Sequence, residues 1–449
     1  MRRILLILLA LVLGAGVYAQ FSEQPQLAAG LAILVFIATL WLTEAIHITG
    51  TALLVPVLAA GFGLMSVKQA FSGFANSIIF LFLGGFALAA AMRQHKLDQW
   101  MATVVMRLSR GNGLISILLL FVVTAWTSMW ISNTATTVMM LPIALGLVQR
   151  SEEKESVSRL VFVLLGVAYS ANIGGIATLV GSPPNAIAAS VIGVDFVGWM
   201  SIGFPMAMVL LPLALGVLWL LLRPNFDVVD FEQLPQSDST VNLRSGKARW
   251  VLLIFVAVVA LWLLSKPLSQ WLGIDKGFDS LVAIAAAVLL MTSGLLEWKQ
   301  FEKNTEWGVL LLFGGGITLS SVLSLTGASA FLADELVALF AGVSPLLFLA
   351  LAVTLMIFLT EISSNTASAA LFIPIFFSLP EAQIGLSPEL LSLSVAVAAS
   401  CAFMLPVATP PNAIVFGTGL IQQRQMMRVG LVLNLMCIGV VSGLMPVLV

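Results

Sequence analysis

Two short polar runs interrupt otherwise apolar stretches of this chain: Ser132-Asn133-Thr134 and Ser364-Asn365-Thr366. If a helix begins at each, Ser and Asn stand where N-caps are favoured. The first N–H groups of a helix lack internal partners, and the helix dipole puts partial positive charge at that end. Together these attract an anion. The Asn amides and the hydroxyls of Thr134 and Thr366 add donors. Two such tips facing each other can take both carboxylates of one small dianion. A single copy is explained equally well as a cap on a buried helix. Two copies at matched positions favour a ligand.

A second pair points to cations: Ser182-Pro183-Pro184-Asn185 and Thr409-Pro410-Pro411-Asn412. Proline removes a donor and clashes with the preceding turn. Carbonyls ahead of it lose helical partners, and away from water they need another. Hard cations choose carbonyl, hydroxyl and amide oxygens. Ser128, Ser132, Asn133 and Gly181 are candidates for one site, and Thr360, Ser363, Asn365 and Ala408 for its mate. Gly174, Gly175 and Gly181 loosen the first copy.

The absent charges matter as much. Residues 111–149 carry no charged side chain, residues 160–222 only Asp195, and no Lys or Arg lies between Lys303 and Arg424. A dianion bound at these tips finds no local salt bridge. Without cations it would carry an uncompensated desolvation cost. Cation coupling is therefore a physical requirement of such a site.

The elements that must position these residues are membrane helices. Only 9% of the 449 residues are charged and mean hydropathy is +1.08, too apolar for a water-facing surface of this length. A net charge of −1 gives no basic field for nucleic acid. Cys401 and Cys437 lie in apolar runs and read as small core residues. Spans are expected over 27–43, 77–92, 203–222, 249–265, 280–296, 307–325 and 429–448, with a shorter run from Thr51 to Leu64 interrupted by Pro56. Residues 114–129 and 135–148, and again 345–359 and 367–379, form two apolar legs around a polar tip, the pattern of a re-entrant hairpin. Arg2-Arg3 and the run to Val17-Tyr18-Ala19-Gln20 imitate a signal peptide. Because spans follow at once, a first span or interfacial helix with a cytoplasmic N-terminus is expected.

The vocabulary repeats. Leu83-Gly84-Gly85, Ser132-Asn133-Thr134-Ala135 and Ser182-Pro183-Pro184-Asn185-Ala186-Ile187 return as Phe313-Gly314-Gly315, Ser364-Asn365-Thr366-Ala367 and Thr409-Pro410-Pro411-Asn412-Ala413-Ile414, at offsets of 230, 232 and 227. Constant order and spacing mark an internal repeat. Arg107, Arg110, Arg150, Lys154 and Arg159 bracket the first hairpin, whereas Asp334, Glu335, Glu381 and Glu389 bracket the second. The positive-inside rule then places the two pairs of feet on opposite sides, as in an inverted-topology repeat. The stretch from Arg223 to Arg249 reads as a cytoplasmic linker, and 98–109 and 331–341 as amphipathic arms. Glu44 and His47 are expected at an interface. Glu361, whose repeat counterpart is Met129, is placed to tune the second cation site.

With Trp41-Leu42-Thr43-Glu44-Ala45-Ile46, Ser77 to Gly85 and Trp307 to Gly316, these motifs resemble the divalent anion–sodium symporter family from about residue 27 onward. The resemblance is closest to bacterial importers of C4-dicarboxylates. It implies an all-α homodimer with about eleven spans and two re-entrant hairpins per protomer, working as an elevator. Scaffold parts would be 1–110 and 223–342 (with the linker), and transport parts 111–222 and 343–449. Substrate contacts carry over to Asn133, Thr134, Asn365, Thr366, Thr409 and Pro410, with Ser182 and Pro183 nearby. Sodium sites carry over to the cation candidates above. Ser363 stands where the family pattern expects alanine. The expected activity is sodium-coupled symport of succinate, malate or fumarate across the inner membrane, without organic cofactor. The same fold carrying citrate or sulfate, or exchanging dicarboxylates without sodium, is the near alternative. An intramembrane enzyme would need more clustered His, Asp, Glu or Cys, and a structural subunit would not need duplicated broken helices.

Overall fold

The computed structural model describes residues 2–97, 100, 113–148, 154–224, 246–274, 276–340 and 342–449. The segment 98–109 lies outside them apart from residue 100, as do Arg107, Arg110, Arg150 and most of the linker. The described residues form helices and turns, and no strands. Nine helices among them are long and apolar enough to cross a membrane.

The first half runs α1 (Arg2–Gln20), α2 (Pro25–Thr43), α3 (Ile48–Gly61), α4 (Val67–Ser72) and α5 (Ser77–Gln94). It continues with α6 (Gly113–Ser128), α7 (Asn133–Val148), α8 (Lys154–Gly174), α9 (Pro183–Ile192) and α10 (Phe196–Leu222). The second half runs α11 (Gly246–Leu263), α12 (Ser265–Leu272), α13 (Phe278–Thr292), α14 (Trp298–Asn304), α15 (Trp307–Leu325) and α16 (Ala328–Leu339). Then come α17 (Pro345–Ile362), α18 (Asn365–Phe377), α19 (Glu381–Ile384), α20 (Pro388–Ala399), α21 (Pro410–Phe416) and α22 (Gln423–Leu448). The arm expected over 331–341 falls within and just past α16. Pro56 does not interrupt the run from Thr51, because α3 continues through it.

Local chemistry explains the starts that matter here. Asn76 caps α5 by accepting from Ile78 N at 3.0 Å, and Asp195 caps α10 by accepting from Gly198 N at 2.7 Å. Pro183 and Pro410 open α9 and α21. In a first turn the missing proline N–H is not wanted by the helix. The Pro-Pro pairs therefore begin helices, and the unwound chain lies before them.

The legs of each hairpin pack on each other and on a helix of their own half: α6 and α7 on α8, α17 and α18 on α20. The Pro-Pro helices cross over, α9 onto α18 and α20, α21 onto α7 and α8. The glycine-rich helices do the same, α5 against α13 and α15 against α3. Here backbones touch. A Cβ added at Gly84 would lie 2.5 Å from the Ala283 carbonyl carbon, and one at Gly315 2.6 Å from Ala52 O. Small residues at crossings let membrane helices approach closely where no hydrophobic force drives them together. Gly84 thus pairs structurally with Gly315 at an offset of 231, one residue from the register that the glycine triplets suggest.

Gly84→Ala is expected to destabilise the fold by about 1–3 kcal/mol, because main chain cannot move aside as a side chain can. Gly216→Ala in α10, where an added Cβ meets nothing within 4 Å, is expected to be neutral or stabilising. Thermal unfolding of both variants in detergent makes the comparison. Equal midpoints would show that the α5–α13 crossing is not tight.

Candidate functional site

The first cage forms where α6 ends, α7 begins and α8 unwinds. Ser128 Oγ lies 2.6 Å from Asn133 Oδ1 and 2.7 Å from Ala171 O. One hydroxyl hydrogen serves two acceptors. The two ends of the Asn133 amide exchange by a half-turn. With nitrogen inward it donates to Ala171 O and Gly181 O, each at 3.2 Å. With oxygen inward, four oxygens converge around the Ser128 hydrogen, and Ala171 O also accepts from Gly175 N at 3.1 Å. The nitrogen-inward orientation satisfies the amide, and the oxygen-inward one presents neutral oxygens of the kind hard cations choose. Gly175 permits this packing, since a Cβ there would lie 2.5 Å from Asn133 Oδ1.

The second cage repeats the first. Thr360 Oγ1 donates to Asn365 Oδ1 and lies 3.1 Å from Ala399 O. Thr360, Asn365 and Ala399 follow Ser128, Asn133 and Ala171 by 232, 232 and 228 residues. Ala408, the counterpart of Gly181, is buried directly before Thr409. The remaining hydroxyls of the sequence-derived set turn elsewhere. Ser132 Oγ caps α7 through Ala135 N at 3.5 Å. Ser363 Oγ donates to Leu359 O at 2.9 Å and meets Ser368 Oγ at 2.6 Å.

At the tips, Asn133, Thr134, Asn365 and Thr366 are half-buried in surroundings that are largely buried. Among the described residues no protein group hydrogen-bonds the Thr134 or Thr366 hydroxyl, which leaves both available as donors. Ser182 and Thr409 are buried at the heads of α9 and α21, and Pro183 and Pro410 follow them more openly. A cavity of about 620 Å³ reaches the second tip at Ser364 and is edged by Arg3, Glu44 and His47. Glu44 and His47 therefore face an opening beside a tip.

Several carbonyls expected to be free for cations are held by side chains instead. Asn185 Nδ2 donates to Gly175 O at 2.8 Å and Thr178 O at 2.7 Å, and Trp199 Nε1 takes Ile176 O at 2.9 Å. Asn412 Nδ2 donates to Ala402 O and Leu405 O, both at 3.1 Å. The asparagine of each Pro-Pro-Asn motif is thus a brace for the unwound segment before it.

Glu361 has a different duty from the one expected. Its carboxylate accepts from Phe403 N, Met404 N and Leu405 N, each at 2.8 Å, and from Asn434 Nδ2 at 2.7 Å. It anchors the second unwound segment to α17 and α22. Tyr169 OH, from the first half, donates to Phe403 O of the same segment at 2.7 Å. Four further residues escaped the sequence reading. Ala171 and Ala399 contribute only carbonyls, which no residue type signals. Asn172 and Ser400 follow them at the same offset of 228, a spacing that could have paired them.

Polar cages and donor-rich tips, at breaks in helices too apolar for water, define a membrane transporter of the inverted-repeat kind. The sequence comparisons agree. The family described as citrate transporter (CitMHS) matches residues 38–398 and again 280–449, and the chain belongs to that family. It is 48% identical to an uncharacterized transporter of Haemophilus influenzae over 93% of this chain and 91% of the relative. It is 37% identical to the sodium-dependent dicarboxylate transporter SdcS of Staphylococcus saprophyticus over 92% of this chain and 84% of the relative. The crystal structure of the YdaH transporter of Alcanivorax borkumensis shares the fold, with TM-score 0.55 and 17% identity over 87% of this chain and 89% of that one.

Glu361→Gln would turn an amide N–H toward converging donors and is expected to cost about 3 kcal/mol of stability. Met129→Leu at the matching position of the first half is expected to cost less than about 1.5 kcal/mol. Denaturation midpoints in detergent measure both. A Gln variant as stable as the parent would remove Glu361 as an anchor.

Proposed function

We propose that the protein is a sodium-coupled symporter that carries C4-dicarboxylates such as succinate, malate and fumarate across a bacterial inner membrane into the cytoplasm. The observation that carries the reading is the paired cage: hydroxyl, asparagine and alanine carbonyl, once in each half. Each cage gathers neutral hydroxyl, amide and carbonyl oxygens, the donor set that suits a small hard cation. Asn133 and Thr134 from one tip, and Asn365 and Thr366 from the other, offer donors to the two carboxylates. Ser182, Pro183, Thr409 and Pro410 lie at the heads of the crossing helices. Ser128, Ser132, Asn133 and Gly181 would serve one sodium, and Thr360, Ser363, Asn365 and Ala408 the other. Ser132 and Ser363 would do so through backbone, their hydroxyls being engaged. The name of the Staphylococcus relative supports sodium and dicarboxylate as cargo.

In this reading the hairpins and Pro-Pro helices move together against α1–α5 and α11–α16 as an elevator. Two copies assemble as a homodimer in the bilayer, each with its N-terminus in the cytoplasm. Cations bind first and make the tips electrostatically competent for a dianion. The family's description gives citrate a specific claim as an alternative cargo.

Uptake of radiolabelled succinate into proteoliposomes is expected with an inward sodium gradient and not with an equal potassium gradient. Asn133→Ala and Asn365→Ala are each expected to abolish that uptake while the protein remains folded. Equal uptake in both gradients would sink the coupling, and citrate uptake without succinate uptake would change the cargo.

A further inference from the structure

We propose that Asn172 is a positioning residue that makes the Thr409 hydroxyl a dedicated donor to one carboxylate of the transported substrate. The proposal rests on the dicarboxylate reading above and concerns how one end of that substrate is held.

The argument runs through a chain of fixed orientations. Asn412 Nδ2 is committed to Ala402 O and Leu405 O, so its Oδ1 must point the other way. That oxygen faces Asn172, whose Nδ2 lies 3.4 Å from it. The amide of Asn172 is thereby set with nitrogen toward the second half, since the reverse would oppose two carbonyl oxygens. The same Nδ2 donates to Thr409 Oγ1 at 3.1 Å. Thr409 Oγ1 also accepts from Asn412 N at 3.2 Å. A hydroxyl has two acceptor sites and one hydrogen. Both acceptor sites of Thr409 are filled, and among the described residues nothing accepts its hydrogen. The residue heads α21, which packs on α7, the helix that starts at the first tip. A buried donor with no protein acceptor beside an anion site is a donor for the anion.

The matching tie in the other direction is weaker. Ser400, the counterpart of Asn172, meets Ser182 Oγ at 3.4 Å, and either hydroxyl can be the donor. Nothing fixes the Ser182 hydrogen. The second half therefore holds one carboxylate with a preset donor, and the first half meets the other end with one that can rotate. Discrimination between dicarboxylates that differ at one end follows from this asymmetry.

The test uses full-length protein. Asn172→Ala is expected to raise the succinate half-saturation of uptake about fivefold, the worth of one hydrogen bond, with the maximal rate and the sodium half-saturation little changed. Thr409→Val is expected to do the same, and the double variant to add nothing further. Succinate-dependent thermal stabilisation in sodium should shift by the same factor, and sodium-dependent stabilisation in its absence reports that the fold and cages survive. If the alanine variant loses sodium stabilisation, the near-isosteric Asn172→Leu supplies the same comparison. Parental succinate affinity in the Asn172 variant, or effects that multiply in the double variant, would overturn the inference and leave the transport reading intact. A parent protein that neither succinate nor citrate stabilises would overturn both.

Discussion

Everything in this molecule turns on backbone polar groups freed inside an apolar protein. A continuous helix satisfies its own N–H and C=O groups, and a broken one in the membrane interior does not. Each half breaks its helices twice, at a Ser-Asn-Thr tip and before a Pro-Pro pair. The freed groups sort into two classes. One class is closed by the protein: Asn185, Trp199 and Asn412 take carbonyls, and Glu361 takes three N–H groups. The other class gathers oxygens at the cages and leaves the Thr134 and Thr366 hydroxyls without protein acceptors at the tips. On the proposed reading, the binding sites are what remains after the structural bonds have been made.

Crossing of the two halves explains why those remainders meet. Because α9 packs on α18 and α21 on α7, each Pro-Pro head is delivered to the opposite hairpin. On the proposed reading, neither half forms a complete site alone. The Gly84–Ala283 and Gly315–Ala52 contacts make a matching exchange among the glycine-rich helices. Duplication thus supplies two similar cages, and exchange puts them in one structure. Where the copies differ, the difference has a location. Glu361 against Met129 stiffens only the second unwound segment, and Asn172 against Ser400 fixes only one of the two head hydroxyls.

Much of this was legible in the sequence. Apolar runs marked most of the spans, although Val157–Gly174 was missed and the run at 280–296 is the shorter α13; three ordered echoes marked the repeat. Polar residues in the middle of apolar runs marked the tips, because nothing else would tolerate them there. Ser128 and Asn133, and Thr360 and Asn365, stood among the cation candidates for the oxygens that their side chains carry. What stayed hidden was of two physical kinds. Ala171 and Ala399 act through carbonyls that every residue has, so type carries no signal. Glu361, Asn172 and Asn434 act through partners some 40 to 240 positions away, which only folding brings near. The glycine register was misread by one because a triplet of glycines at 314–316 aligns as well either way, and only the contact with Ala52 decides.

The cages and the tips also belong together electrostatically. No Lys or Arg occurs between residues 304 and 423 or between 111 and 149, so the site has no permanent cation within its own segments. Helix ends carry about half a charge each. Two of them cannot balance a dianion in a low-dielectric interior, and a fixed arginine would balance it in both the loaded and the empty state. An empty site with two buried arginines would itself carry a large desolvation cost. Neutral oxygen cages solve both problems at once. On the proposed reading, filled cages bring positive charge only when the anion comes too. In the proposed symport, coupling then follows from the requirement that the site be nearly neutral whenever it is buried.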